Sequence, residues 1–156
     1  MTDLAALFTD LVRLETRVYN AIDTRLRAEH ELPLGQYEFL RYIAARGTCR
    51  VYDLAQEIAI TVGATSKAVD RLEAAGRVRR TANPDDRRSS LVALTDAGRQ
   101  LLAAATPTFN AELTTWIGSV LPASSLETFA TTLSMLRQRA EVDHRTDRLE
   151  RGTPQA

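Results

Sequence analysis

Residues 54–95 read LAQEIAITVGATSKAVDRLEAAGRVRRTANPDDRRSSLVALT, and the order of patterns within them decides the fold. Leu54, Ala55 and Ile58 recur at helical spacing and predict a short helix over 51–59. Thr61 offers a hydroxyl where a helix N-cap needs one, so a second helix is expected over about 62–75. Val69 and Leu72 would face the core, with Ser66, Lys67, Asp70 and Arg71 largely on the other side. Gly76 is placed to end that helix, because a left-handed C-cap conformation costs glycine nothing. Two short strands should follow, about 77–81 and 89–94, joined by Asn83-Pro84-Asp85-Asp86. Proline fixes one backbone angle there, and the acids can accept bonds from neighbouring amides. A helix sized for a DNA groove beside an arginine-tipped hairpin offers two ways to hold one duplex.

Outward from this stretch the pattern is helical. Leu4, Leu7, Phe8, Leu11, Leu14, Val18, Ile22 and Leu26 form a stripe that predicts one helix over 4–30, about 40 Å long at about 1.5 Å per residue. Pro33 and Gly35 end that region, and a second helix runs from Gln36 to about Ala45, burying Phe39, Leu40 and Ile43. Cys49 and Arg50 are expected to pair as a very short strand with the later hairpin. The helix at 51 begins without a clear signal, since Val51 and Tyr52 stand where a capping hydroxyl is usual. After the hairpin, Thr95 caps a fifth helix with Asp96 in its first turn, and Pro107 is a point where that helix would kink or divide. Pro122 opens a last helix that would bury Leu126, Phe129, Leu133 and Leu136, and 152–156 reads as a disordered tail.

The chain has 156 residues, one domain's worth, and no net formal charge. Its charge is unevenly spread. From Lys67 to Ser90 seven basic residues face four acidic ones, whereas residues 1–32 carry six acids against four arginines. That asymmetry fits one surface that meets nucleic acid and another that does something else. The single cysteine, Cys49, excludes an internal disulfide and an all-cysteine metal site, and reads as a small buried or strand-edge hydrophobe rather than a redox switch. No segment has the pattern of a secretory signal or a membrane span, so the expected compartment is the cytoplasm and no membrane partner is expected.

The helix at 62–75 would present Gly63, Ala64, Thr65, Ser66 and Lys67 to the major groove. Small residues permit close approach, hydroxyls can bond phosphate or base edges, and Lys67 can reach guanine acceptors. Arg71 lies further along and suits a phosphate contact or an ion pair with nearby acids. At the hairpin tip Arg87 and Arg88 match the narrow, negative minor groove, with Asp86 expected to hold one guanidinium in a bidentate pair. The apolar residues of the terminal helices exceed what the reading core needs, and self-association into a twofold dimer is the economical explanation. Enzyme readings find no support: His30 and His144 are far apart, neither lies in an acid- or cysteine-rich cluster, and Gly63, Gly76 and Gly98 make no phosphate loop. Neither a metal nor a cofactor is expected.

Residues 51–98 resemble the multiple antibiotic resistance regulator (MarR) family of winged helix-turn-helix repressors. The likeness runs through Leu54-Ala55, Ser66-Lys67, Val69-Asp70-Arg71-Leu72-Glu73, Gly76, Val78, Arg80, Asn83 to Arg88, and Leu94-Thr95-Asp96-Ala97-Gly98. The resemblance implies a mainly α fold with a small β wing, a winged helix-turn-helix core over about 36–95, and dimerisation helices over about 4–30 and 96–149, all within a single domain of residues 1–151. It implies a homodimer on a pseudo-palindromic operator, with Arg88 the minor-groove arginine, Asp86 its orienting partner, Arg87 a backbone neighbour, and Thr65, Ser66 and Lys67 on the major-groove face. Members of the family commonly repress transcription and release double-stranded DNA on binding a small phenolic or lipophilic effector. An effector pocket here would draw on Tyr19, Ile22, Tyr42 and Trp116, residues that an ordinary core would also use. Peroxide sensors of the family carry a cysteine in the first helix; this chain has none before Cys49. Two alternatives remain open from the sequence: a protein of the same fold acting mainly through protein contacts, and a regulator without an effector.

Overall fold

The computed structural model describes the backbone of residues 1–151 and the side chains of residues 1–141. It contains helices α1 (Leu4–His30), α2 (Leu34–Arg46), α3 (Val51–Ile58), α4 (Val62–Ala74), α5 (Asp96–Leu113) and α6 (Ala123–Arg151), and strands β1 (Thr48–Arg50), β2 (Val78–Ala82) and β3 (Ser90–Leu94). The expected tail at 152–156 lies outside the described residues. The chain divides into two compact units, Met1–Leu113 and the residues from Thr114 onward.

The first unit is built around α2. Tyr37, Leu40 and Ile43 of α2 are buried with Leu26 of α1, Leu54 of α3, Val69 and Leu72 of α4, and Val92 of β3 in one apolar cluster. Tyr37 stacks on Phe109 of α5 with ring centroids 4.6 Å apart, and its hydroxyl donates to Thr106 Oγ1 (3.3 Å). The sheet is antiparallel in the order β1-β3-β2. Cys49 lies opposite Val92 on one side of β3 and Arg80 lies opposite it on the other. Cys49 is buried there, and burial, with Asp53 nearby, pushes its thiol up to about 11.

The helix boundaries follow from where the backbone finds partners. Asp3 caps α1 by accepting from the N–H of Ala5 (2.9 Å) and Ala6 (3.3 Å). The helix ends on Glu31, held left-handed at φ 51°, whose N–H donates to Arg27 O, so that Leu32 turns into the core fully buried. A side chain with a Cβ is strained in that conformation, whereas glycine is not. Glu31→Gly should therefore raise stability by up to about 1 kcal/mol, less what the more flexible unfolded chain takes back. A urea midpoint that falls instead would show that Glu31 contributes more than its backbone angle.

Helix α2 starts at Leu34, two residues earlier than expected, and Gly35 sits inside its first turn rather than ending the previous region. The cause is tertiary: Asp23 of α1 accepts the Leu34 N–H at 2.8 Å and supplies the cap that Pro33 cannot. Burial works against the charge of Asp23, but the Arg27 guanidinium and the Leu34 N–H outweigh it and hold the carboxyl below its usual range. Helix α3 owes its start to Asp53, which accepts the Arg50 N–H (3.3 Å) and pairs with the Arg50 guanidinium through both oxygens (3.0 and 2.7 Å). Helix α5 continues through Pro107.

The second unit comprises a π-helical turn, Thr114–Gly118, and α6. Leu126, Phe129 and Leu133 are only half-buried and Leu136 is exposed, so the burial expected of this helix is absent. Within its own unit a single long helix has almost nothing to bury against. Among the described residues no helix is long and apolar enough to cross a membrane.

Candidate nucleic-acid interface

Helix α4 begins on Thr61, whose Oγ1 accepts the Ala64 N–H at 3.2 Å. From that cap the 3.6-residue period sends Thr65, Val69 and Leu72 inward, and all three are fully buried. Thr65 is therefore no groove contact, contrary to the sequence expectation. It stands four residues before Val69, and its Oγ1 donates to Thr61 O (2.9 Å) inside the core. Of the other residues expected to meet DNA, α4 leaves Gly63, Ala64, Lys67 and Arg71 exposed, with Ser66 half-buried. A Cβ built on Gly63 would meet nothing within 4 Å, so the first turn is open to solvent at that point.

Thr65→Val separates the two roles. Removing one hydroxyl from a carbonyl that the Thr65 N–H still satisfies (3.0 Å) should cost at most about 1 kcal/mol of stability. Affinity for duplex DNA should stay unchanged, while Lys67→Ala lowers it. Equal losses from the two variants in a binding titration would restore Thr65 to the surface.

The hairpin tip is ordered by its own polar groups. Asn83, a buried polar residue, donates through Nδ2 to Ser89 Oγ (2.9 Å) and accepts the Asp85 N–H (3.1 Å). Ser89 returns both its N–H (3.0 Å) and its Oγ (3.1 Å) to Asp86 O. Asp86 Oδ1 accepts the backbone N–H of Arg88 at 3.0 Å and stands 3.7 Å from its Nε. The bidentate pair expected between them is not formed, because the carboxylate is committed to shaping the turn. The Arg88 side chain, 95% exposed, extends from a fixed turn into solvent, and Arg87 beside it is exposed too.

Arg80 and Thr95, the latter capping α5 as expected, hold hairpin and helix together through contacts that the sequence did not announce. Arg80 of β2 bridges Asp70 and Glu73 of α4 with Nη1, at 2.7 Å to each. At the base of the hairpin, Thr95 Oγ1 donates to Gly76 O (2.6 Å) and accepts the Gly98 N–H (3.0 Å), while the Thr95 N–H donates to Arg77 O (3.1 Å). Both arginine and glycine were in view in the sequence, but the contacts join residues that no spacing rule relates.

The residues named for an effector pocket do not share one environment. Ile22 is a buried residue of the apolar core, packed as the helical stripe of α1 requires. Tyr19 is 43% exposed near Asp23 and Gly35, and burial of its ring raises its hydroxyl pKa. Tyr42 lies instead under the Arg46 guanidinium, 4.7 Å from the ring centroid. Trp116 belongs to the second unit. Among the described residues no cluster of three or more His, Cys, Asp or Glu side chains is placed to hold a metal ion.

A three-helix core with this wing has known relatives. Residues 32–90 match the model of the MarR family. This segment is similar to that family. A transcriptional regulator of the helix-turn-helix type from Bacillus subtilis, YwhA, is 35% identical over 60 residues, covering 38% of this chain and 43% of YwhA. The chain thus spans under half the length of that curated relative. Two crystal structures from Streptomyces coelicolor extend the likeness of fold across this segment and the helices around it. AbsC, a MarR-family transcriptional regulator, superposes with a TM-score of 0.81 at 21% identity, over 90% of this chain and 96% of AbsC. Sco3205, a MarR-family regulator in complex with DNA, gives 0.80 at 24% identity, over 86% and 85%. The mainly α winged helix-turn-helix architecture expected from the sequence is the one observed. The family and the relatives are transcriptional regulators rather than enzymes.

Proposed function

We propose that this chain is a sequence-specific regulator of transcription that binds duplex DNA through α4 and the wing. One observation carries the reading: Arg88 stands almost wholly in solvent on a turn locked by Asn83, Asp86 and Ser89, while the start of α4 exposes Gly63, Ala64 and Lys67. Fixed backbone with an exposed guanidinium suits the minor groove, and a small-residue helix face suits the major groove. Sco3205, which shares the fold, forms a complex with DNA, and this supports the DNA-binding part of the reading.

The working unit in this proposal is a homodimer acting as a repressor on a pseudo-palindromic operator. Leu4, Leu7, Phe8 and Leu11 on the first half of α1 are 74%, 55%, 67% and 42% exposed, a stripe of the kind that association covers. Two reading modules on a twofold axis would address half-sites about 34 Å apart. No effector forms part of the proposal, because Ile22 belongs to the core and Tyr19 and Tyr42 have separate surroundings.

The test is selection of bound fragments from a genomic or random pool by the purified chain, read by sequencing, with sedimentation in parallel. An enriched inverted repeat and a dimer mass are expected. Indiscriminate recovery by a folded dimer would favour the protein-contact alternative.

A further inference from the structure

Arg80 sits at a junction that strand pairing leaves undetermined. Pairing of β2 with β3 sets the hairpin's own shape, with Arg80 opposite Val92, but not its angle to α4. Along β2, Thr81 and Ala82 are exposed, so Arg80 is the last residue of the strand still partly covered before the tip. Its Nη1 stands 2.7 Å from Asp70 Oδ1 and 2.7 Å from Glu73 Oε2, and its backbone N–H donates to Glu73 Oε1 at 3.1 Å. Asp70 and Glu73 are three residues apart, hence on one helix face. Glu73 thus grips both the main chain and the side chain of β2.

We propose that Arg80, clamped by Asp70 and Glu73, is a positioning residue that sets the angle between the α4 surface around Lys67 and the wing tip at Arg88, so that both meet one duplex together. The proposal rests on the DNA-binding reading above. Two carboxylates already neutralise the Arg80 charge, which leaves it poorly suited to a phosphate. The side chain is 24% exposed and its partners 58% and 39%, so solvent screens the pairs and they contribute direction more than stability. Two docking surfaces on one rigid body reinforce each other, whereas on a loosened hinge the second contact must be re-found after the first.

The experiment uses the duplex that the unaltered chain recovers from a random-sequence pool. Affinity is titrated over a salt series for the unaltered chain, Arg80→Met, Arg80→Lys, Asp70→Asn, Arg88→Ala and the Arg80→Met/Arg88→Ala pair, each checked by thermal melting. Arg80→Met should weaken binding and lower the salt slope by no more than Arg88→Ala does, since the only cation it displaces is the one at the wing tip. The loss caused by Arg88→Ala should be about 5- to 30-fold smaller in the Arg80→Met background than alone, because a mispositioned wing has less to lose. Arg80→Lys should restore part of the affinity, and Asp70→Asn should reproduce part of the loss. Should Arg80→Met not fold, the same coupling is read between Asp70→Asn and Arg88→Ala, since Asp70 is largely exposed. Simple additivity would overturn the proposal, as would a salt slope lowered by about two per dimer when Arg80→Met is added to Arg88→Ala, the mark of a direct phosphate contact in each subunit. Failure of the unaltered chain to enrich any duplex would overturn the DNA-binding reading itself, an outcome distinct from additivity.

Discussion

Replacing Arg88 with alanine should cost most of the chain's affinity for its operator while leaving the melting temperature where it was. The side chain is 95% exposed, so removing it disturbs no packing, and surface substitutions of this kind usually change stability by less than about 0.5 kcal/mol. A guanidinium seated in a groove contributes about 1–3 kcal/mol of binding, or about thirtyfold at the middle of that range. A homodimer loses two such contacts at once, which brings the expected loss to about a thousandfold. Asp86→Asn should do less harm, since the amide oxygen can still accept the Arg88 N–H that shapes the turn. A titration in which Arg88→Ala binds like the unaltered chain would remove the wing from the interface, whatever α4 does.

The second large effect is structural. Gly98 is buried at the start of α5, and a Cβ built there would lie 2.0 Å from Arg77 O and 3.0 Å from Arg77 C. The obstructing atoms are backbone, at the turn where Thr95 ties Gly76, Arg77 and Gly98 together, so no side chain can swing aside. Gly98→Ala should therefore cost more than the usual 1–3 kcal/mol of an overpacked site and leave a chain of ordinary stability close to unfolding. Gly63→Ala is the matched control: nothing lies within 4 Å of its added methyl, and an exposed helical position favours alanine by about 0.5–1 kcal/mol. Chemical denaturation of the two variants should move in opposite directions. A Gly98→Ala variant as stable as the unaltered chain would mean that the α5 terminus can retreat from the hairpin.

Where sequence and structure agree, the cause is local periodicity. The stripe from Leu4 to Leu26, the Thr61 cap and the turn chemistry of Asn83 each act over a few residues, and α1, α4 and the hairpin form within a residue or two of the expected places. The short strand at Cys49 was legible because a hairpin edge needs a partner. Where the two part, long-range contacts decide. Asp23 caps α2 from another helix, and Asp86 spends its carboxylate on the backbone, which no residue type announces. Thr65 looked like a reading residue because hydroxyls suit DNA. Counting four residues on to Val69 and seven to Leu72 would have placed it inside. Arg80 was named in the family likeness, but its role had no sequence signal until β2 was set beside α4.

The position of Cys49 gives the molecule a native reporter of its own motion. Thiolates, not thiols, react with alkylating reagents; Cys49 is only 4% exposed, and burial pushes its thiol pKa up to about 11. It lies opposite Val92, so a reagent reaches it when β1 parts from β3 and uncovers it. The rate at which a maleimide or iodoacetamide consumes the single thiol therefore counts openings of that sheet edge, without any engineered label. Measured with and without DNA, the same rate would tell whether holding the wing in a groove also quietens the far side of the sheet that carries it.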